Sequence, residues 1–150
     1  MAVSMVGFCP SLAAAKDAGA EAAPMQFISS FNQGDVVAAK AAMSETVVIT
    51  DEVAPYHWEG KNAFGGWLSA LTADGKARQL SDERVVLGQA TREMIAPEHG
   101  YLVFPATYSF KQRGVAMSEV AQMTFALDRT PAGWKIAAWT WTGPDPSKAK

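Results

Sequence analysis

The first third of the chain shows aromatic and apolar residues at helical spacing. Phe27 and Phe31 lie four residues apart in an alanine-rich stretch, so they share one face of a helix. Pro24 fits only the first turn of a helix or a kink, which places the firm part of this helix at about residues 22–33. Gly34 is its predicted C-terminal stop.

Two further helices are predicted in the first half of the chain. Asp35 is placed to cap a second helix that runs to about Met43. A third helix is predicted over residues 62–71, because its apolar residues follow one another at spacings of three, one and three. Residues 73–75, with the sequence Ala-Asp-Gly, predict a turn after it.

The remaining segments are rich in β-branched and aromatic residues. Residues 47–50 predict a strand, and residues 52–60 an irregular loop or a short hairpin. Four later runs predict strands joined by short breaks, which suits antiparallel hairpins; they are residues 83–95, 100–110, 115–128 and 134–142. Helices first and strands afterwards indicate the α+β class. We expect three N-terminal helices packed on a strongly curved, mostly antiparallel sheet, which makes a cone with a pocket at its open end.

Composition narrows the classes of function. The chain has 150 residues, 49% hydrophobic and 19% charged, which suits one folded domain. Its net charge of -2 offers no basic surface for nucleic acid or acidic membranes. Cys9 is the single cysteine and there are two histidines, so no disulfide framework or Cys/His metal site is expected. No apolar run reaches the roughly 18 residues of a membrane helix. We expect no cofactor, no metal, no nucleic-acid partner and no membrane partner.

The N-terminal segment needs a separate interpretation. Residues 1–15 carry no charge and end in three alanines, small residues that suit a signal-peptidase site. They lack the positively charged start of a signal peptide, and Pro10 interrupts the apolar stretch. A flexible extension and a degenerate signal segment both remain open. The compartment is therefore open too: the cytoplasm is slightly favoured, and a periplasmic or secreted location follows if the segment is a signal remnant. We predict one domain at residues 16–143 and a loose tail at 144–150.

Two stretches carry a family resemblance. FISSFNQGD at residues 27–35 is an aromatic helix that ends in Asn-x-Gly-Asp. ITDEVAPYHWEGKNAFGGWL at residues 49–68 places an aspartate after a strand and a glycine before a helix. Over about residues 20–142 the chain resembles the nuclear-transport-factor-2-like superfamily, and within it the SnoaL-like and ketosteroid-isomerase-like proteins. The resemblance implies a cystatin-like cone. It implies no single function, because this superfold hosts enzymes, binding proteins and assembly domains.

The resemblance also implies a candidate base. In ketosteroid isomerases the base follows the first strand, nine residues before a glycine, and Asp51 matches that position. The family's tyrosine and aspartic-acid donors correspond to Phe27 and Met123, which donate no hydrogen bond. A one-residue slip would give Gln122 or Thr124 at the second position. Since the loss of one oxyanion donor costs about 10²–10³ in rate, we expect no steroid isomerase activity.

The candidate site residues each have a structural alternative. Asp51 is either a general base or a turn cap at a strand end. His57 is a second catalytic candidate, as a proton shuttle, or else a surface histidine. Glu119 interrupts an apolar strand face, as a pocket acid or at the open end of the cone. The predicted pocket wall consists of Phe27, Phe31, Tyr56, Trp58, Phe64, Trp67, Glu119, Met123 and Phe125. Ordinary core packing is the alternative for any one of the apolar members.

Two tryptophans raise the question of a partner. Trp139 and Trp141 share one parity of the last strand, opposite Trp134, Ile136 and Ala138. The resemblance implies that the outer face of the sheet buries a homodimer partner, so we predict both tryptophans there, with a core position as the alternative. Three functions remain open. They are a domain that binds a small apolar molecule, an isomerase or cyclase with Asp51 as base, and a dimerisation domain with a filled pocket.

Overall fold

The computed structural model describes residues 19–150, so the predicted extension or signal segment at residues 1–15 lies outside the described residues. Three helices precede most of the strands: α1 (Ala22–Asn32), α2 (Val36–Ala41) and α3 (Ala63–Arg78). Asp35 caps α2 as predicted, since its carboxylate accepts a hydrogen bond from the Ala38 amide at 2.9 Å. Gly34 follows α1 with a φ of 72°, a left-handed conformation that glycine adopts without strain.

Eight strands within residues 19–150 form one sheet. They are β1 (Met43–Thr50), β2 (His57–Trp58), β3 (Leu80–Leu87), β4 (Arg92–Ile95), β5 (His99–Gln112), β6 (Val115–Thr130), β7 (Gly133–Thr142) and β8 (Ser147–Lys148). The main order is β2-β1-β7-β6-β5-β3, with β4 beside β5 and β8 beside β6. Only β1 and β7 pair in parallel among these neighbours. The predicted α+β, cystatin-like architecture with a mostly antiparallel sheet is confirmed.

The core lies between the helices and one face of the sheet. Burial alternates along β6, where every second residue from Glu119 to Leu127 is buried. Phe27 on α1 is 1% exposed, and Phe104 and Phe125 pack edge to face with ring centroids 5.9 Å apart. Removal of this apolar surface from water is the main favourable term in folding, and it holds the helices against the sheet.

The two tryptophans of β7 lie on the inner face. Trp139 is 3% exposed, and its ring centroid lies 5.6 Å from that of Phe27 on α1. Trp141 packs against the same core, where its ring is perpendicular to that of Tyr108. The prediction that Trp139 and Trp141 lie on the outer face of the sheet is therefore wrong. A homodimer stays a prediction, without these two residues as its contacts.

A bulge explains the error. Ile136 pairs with Leu127, whereas Ala138 pairs with Ala126, so Ala137 is an extra residue in β7. An extra residue reverses the side-chain parity of everything that follows it in a strand. The even-numbered apolar residues before Ala137 and the odd-numbered tryptophans after it thus face the same side.

One helix is longer than predicted, and one predicted strand is divided into two. The predicted third helix ends at residue 71, but α3 continues to Arg78 through the predicted turn at residues 73–75. The added turns contain the ion pair between Arg78 and Asp74, at 3.1 Å, and the helix stops at Gln79, which is left-handed. The predicted strand at residues 83–95 is two strands, β3 and β4, which pair in succession with β5.

The C-terminal tail is ordered, in contrast to the loose tail predicted at residues 144–150. Ser147 pairs with Ser118 and Lys148 with Met117, and the Ala149 amide donates to the Ala116 carbonyl at 3.0 Å. These hydrogen bonds satisfy backbone groups at an edge of β6 that would otherwise face solvent. The tail thereby forms β8 beside the first residues of β6.

The cap on α2 gives a stability prediction. We expect Asp35→Ala to lower the free energy of unfolding by about 0.5–2 kcal/mol, because the Ala38 amide loses its acceptor. Asp35→Asn retains a cap and should be nearly neutral. Urea unfolding of both variants checks this, and equal destabilisation by the two would contradict the capping role.

Candidate functional site

A cavity of about 700 Å³ opens between α1, α3 and the inner face of the sheet. Its apolar wall contains Phe27, Phe31, Trp67, Met123, Trp139 and Trp141. Trp67 lies at the centre of this wall, since its ring contacts those of Phe31, Phe27, Phe64 and Trp139 at centroid distances of 5.0–6.1 Å. A concave, aromatic cavity with a few polar groups is the usual form of a small-molecule site.

Six residues of the predicted pocket wall line this cavity and three do not. Phe27, Phe31, Tyr56, Trp67, Glu119 and Met123 line the cavity. Three predicted members belong elsewhere. Phe64 packs behind Trp67, Phe125 packs against Phe104 deeper in the core, and Trp58 lies against Gly66 on α3. All three are core or near-core residues, so the sequence pattern found their burial but not their distance from the cavity.

Asp51 lies directly after β1 and lines the cavity. Its Oδ2 accepts a hydrogen bond from the Trp67 indole N–H at 2.6 Å, and its Oδ1 accepts one from the Glu52 amide at 2.6 Å. Burial raises the pKa of this carboxyl group above its ordinary value, the two hydrogen bonds oppose that shift, and the charge of Asp74 adds to it. Asp51 is thus both a turn cap and a cavity group.

His57 does not join Asp51 in the cavity. It lies on β2 opposite Thr50, and its side chain is 55% exposed. Its Nε2 atom lies 3.6 Å from Glu59 Oε2 on the outside of the domain. The prediction of His57 as a proton shuttle beside Asp51 requires its side chain in the cavity, and it does not lie there. The preceding residue, Tyr56, lines the cavity instead.

Glu119 is a cavity residue. It is 4% exposed, and its Oε1 accepts a hydrogen bond from the Trp141 indole N–H at 2.7 Å. Burial raises the pKa of Glu119; the Trp141 hydrogen bond lowers it, the charges of Glu52 and Asp51 raise it further, and Arg78 lowers it. Glu119 thus lies in the cavity wall, and its role as a pocket acid stays a prediction.

Several polar groups of the cavity were absent from the sequence prediction. They are Glu52, Asp74, Arg78, Glu83, Tyr108 and Asp145. Tyr108 donates its O–H to Glu83 Oε2 at 2.5 Å, and burial raises the pKa of Tyr108 well above its ordinary value. The sequence contains a signal for two of these groups. Asp74 and Arg78 are four residues apart, a spacing that suits an ion pair on a helix. Because the sequence analysis predicts a turn at residues 73–75, it does not place Asp74 and Arg78 on one helix, and the ion pair is missed.

The tail closes one side of the cavity. Asp145 and Pro146 contribute to the wall, and the Gly143 amide donates to Glu52 Oε1 at 3.2 Å. A side chain on Gly143 would collide with the Glu119 carboxylate, so only glycine fits this approach. The tail thus brings Asp145 near Glu52, and the charge of Asp145 contributes to the raised pKa of Glu52.

No group of three or more His, Cys, Asp or Glu side chains in residues 19–150 is arranged to hold a metal ion. No helix in that range is long and apolar enough to cross a membrane.

Comparison with known families supports the fold and names the group. The model of the SnoaL-like domain family matches residues 20–141, most of the chain. The chain belongs to the SnoaL-like domain family. Its structural neighbours include proteins described as NTF2-like, which is consistent with the resemblance to the nuclear-transport-factor-2-like superfamily. No curated protein sequence matches it.

Three solved structures illustrate the similarity. A ketosteroid isomerase-like protein from Erwinia carotovora atroseptica is 19% identical, with a TM-score of 0.66 over 86% of this chain and 96% of the other. An NTF2-like protein with a cystatin-like fold from Novosphingobium aromaticivorans is 18% identical, with a TM-score of 0.65 over 82% and 78%. A hexachlorocyclohexane dehydrochlorinase is 9% identical, with a TM-score of 0.69 over 87% and 88%. At such identities the likeness establishes the fold alone.

The buried carboxyl group of Glu119 gives a pH prediction. Because its pKa is raised in the folded state, its stabilising effect is complete below its ordinary pKa of 4.5 and is lost as pH rises through the folded-state value. Glu119→Gln removes this titration, and the amide oxygen can still accept from Trp141. We expect the melting temperature of the variant, relative to the wild type, to increase from about pH 4 to about pH 8.

The matched control is Glu98→Gln, at an exposed position away from the cavity, which removes the same charge. Thermal melts of the three proteins across that range check the prediction. A pH-independent difference between Glu119→Gln and the wild type would contradict it.

Proposed function

We propose that this SnoaL-like domain is an acid–base enzyme that removes a proton from a small, largely apolar molecule, with Asp51 as the general base. The observation that carries the proposal is the position of Asp51, a hydrogen-bonded carboxylate in the wall of an aromatic cavity. The hexachlorocyclohexane dehydrochlorinase among the structural neighbours has a name that denotes elimination, which is a reaction of this class.

The environment of Asp51 supports this role. Burial makes its carboxylate a stronger base than an exposed aspartate, because the pKa is raised. The hydrogen bonds from Trp67 and Glu52 orient the group, so that it need not reorganise when a substrate arrives. Trp67 is itself held by four neighbouring rings.

The same cavity argues against steroid isomerisation. Phe27 and Met123 line it, and neither can donate a hydrogen bond to a developing oxyanion. Tyr108 already donates its O–H to Glu83. We therefore place the activity of this domain in proton abstraction of another kind.

Ligand binding without a reaction is the second candidate, because Phe27 and Met123 supply no hydrogen-bond donor at the positions that the family resemblance assigns to donors. It shares the cavity with the enzyme proposal but gives Asp51 no chemical role. The third possibility, dimerisation with a filled pocket, is disfavoured by a cavity of about 700 Å³.

A generic substrate for carboxylate bases tests the proposal. 5-Nitrobenzisoxazole opens when a base removes its ring C–H proton and the N–O bond breaks, which gives a coloured phenolate. We expect the protein to accelerate this reaction, with a rate that rises with pH through a pKa above the ordinary 3.8 of aspartate, because only the ionised carboxylate accepts the proton. Asp51→Asn should lower the rate by about 10²-fold or more.

Asp35→Asn serves as the control, since it makes the same substitution at an exposed cap outside the cavity. Circular dichroism confirms that both variants are folded. If Asp51→Asn and Asp35→Asn reacted at the rate of the wild type, Asp51 would be a structural cap and the enzyme proposal would fail.

A further inference from the structure

Three tryptophans line the cavity, and one of them lacks a hydrogen-bond partner. The indole N–H of Trp67 donates to Asp51. That of Trp141 donates to Glu119. The third, Trp139, is 3% exposed, and its Nε1 atom is buried without a hydrogen-bond partner in the described part of the chain. Buried N–H groups in proteins are nearly always paired, because an unpaired one loses its hydrogen bonds to water and gains none. The Trp139 N–H therefore needs an explanation.

The two rings that pack on Trp139 offer it no oxygen or nitrogen acceptor. They are the benzene ring of Phe27, with centroids 5.6 Å apart, and the indole of Trp67, with centroids 5.0 Å apart. The Trp67 ring is perpendicular, at 85°, so an N–H···π contact with its face is the structural alternative. Such a contact is weaker than a hydrogen bond to oxygen, so it leaves the N–H able to take a better acceptor.

Trp139 lies close to the candidate base. The strands β1 and β7 pair in parallel, and Trp139 is opposite Ile49, two residues before Asp51. Two residues of a strand span about 7 Å. The side chains of Trp139 and Asp51 both line the cavity. A ligand only a few bonds long can therefore contact the Asp51 carboxylate at one end and the Trp139 N–H at the other.

Met123 is the adaptable part of the wall beside Trp139. It pairs with Trp141 on β7, while Trp139 pairs with Phe125, so Met123 lies diagonally next to Trp139. The Trp139 Nε1 atom is covered, so an acceptor reaches it only when a neighbouring side chain shifts. A thioether side chain adapts to such changes in packing. Since Met123 lines the same cavity, an acceptor can approach the N–H past it.

The acceptor that suits this N–H is a neutral oxygen. An indole N–H is an uncharged group that only donates. It therefore places no demand on the ligand to donate a hydrogen bond or to carry a charge. Asp51 lines the same cavity, and an anionic ligand would meet its carboxylate in a poorly solvated site. A carbonyl or ether oxygen on an otherwise apolar molecule meets both conditions.

We propose that Trp139 is the residue that recognises the ligand of this cavity, and that the ligand is a neutral, largely apolar molecule whose acceptor oxygen receives the Trp139 N–H. The inference rests on the proposed function for the role of Asp51 and adds the residue that orients the ligand toward it. Phe27 and Met123 supply no donor at the positions that the family resemblance assigns to donors, whereas Trp139 supplies one from β7.

The indole N–H signals in a proton–nitrogen correlation spectrum of the full chain test the proposal. Trp139→Phe identifies the signal of Trp139 among those of the five tryptophans. The probes are acetophenone and α-methylstyrene, which have nearly the same shape and differ in a C=O against a C=CH₂ group. We expect acetophenone at millimolar concentration to move the Trp139 signal downfield, because a hydrogen bond deshields the proton. The shift with α-methylstyrene should be smaller, since that probe shares the phenyl ring but lacks the oxygen.

The affinities of the two probes give a second measurement. Replacement of the Trp139 indole by benzothiophene, which has the same shape with sulfur in place of the N–H, removes the donor and keeps the packing. This variant should bind acetophenone about three- to tenfold more weakly relative to α-methylstyrene than the wild type does. Trp139→Phe should change the ratio in the same direction. Trp58→Phe removes an indole outside the cavity and is the control, which should leave the ratio unchanged.

Three results would overturn the inference. They are an acetophenone shift of the Trp139 signal no larger than that with α-methylstyrene, an equal loss of both probes in the benzothiophene variant, and no binding of acetophenone at millimolar concentration. The first two would leave the N–H as a contact with the Trp67 ring.

The proposed function fails separately. Loss of the benzisoxazole reaction in Asp51→Asn holds whatever the Trp139 signal does. Conversely, a Trp139 donor in a protein without proton transfer would retain the ligand class and leave the domain a binding protein.

Discussion

Trp67 joins the apolar core of the domain to the carboxylate that ends β1. Its ring packs against aromatic side chains from α1, α3 and β7, and its N–H donates to Asp51. A buried indole needs an acceptor for its N–H, and a buried carboxylate needs donors, so each group satisfies the other. The position of α3 over the sheet, the shape of the cavity and the orientation of Asp51 all depend on this one side chain.

Trp141 and Glu119 repeat the arrangement on the opposite part of the wall. In both pairs an indole N–H donates to a carboxylate at the cavity surface. Each bond partly offsets the free energy lost when a charged group leaves water, but burial still dominates, since both pKa values are raised. The domain thus holds two carboxylates in a poorly solvated site at a cost in stability. Such a cost is typical of a ligand or catalytic site rather than of a structural core.

The SnoaL-like fold alone does not decide the chemistry. Solved structures with the same architecture are only 9–19% identical to this chain, so its chemistry has to be argued from the lining of its own cavity. In this cavity Phe27 and Met123 have side chains that donate no hydrogen bond, while Glu52, Glu119 and Asp145 contribute carboxyl groups.

The sequence by itself determined several local elements and the position of Asp51 after a strand. The spacing of Phe27 and Phe31, the cap at Asp35 and the strand before Asp51 depend on interactions between near neighbours, which are visible in the order of residues. The tertiary structure alone decided the inner face of β7, because one extra residue at Ala137 reverses the side-chain parity and leaves no mark in the composition. It also decided the charge of the cavity: Asp51, Glu119 and Asp145 lie far apart in the chain, and only the pairing of strands and the course of the tail bring them together.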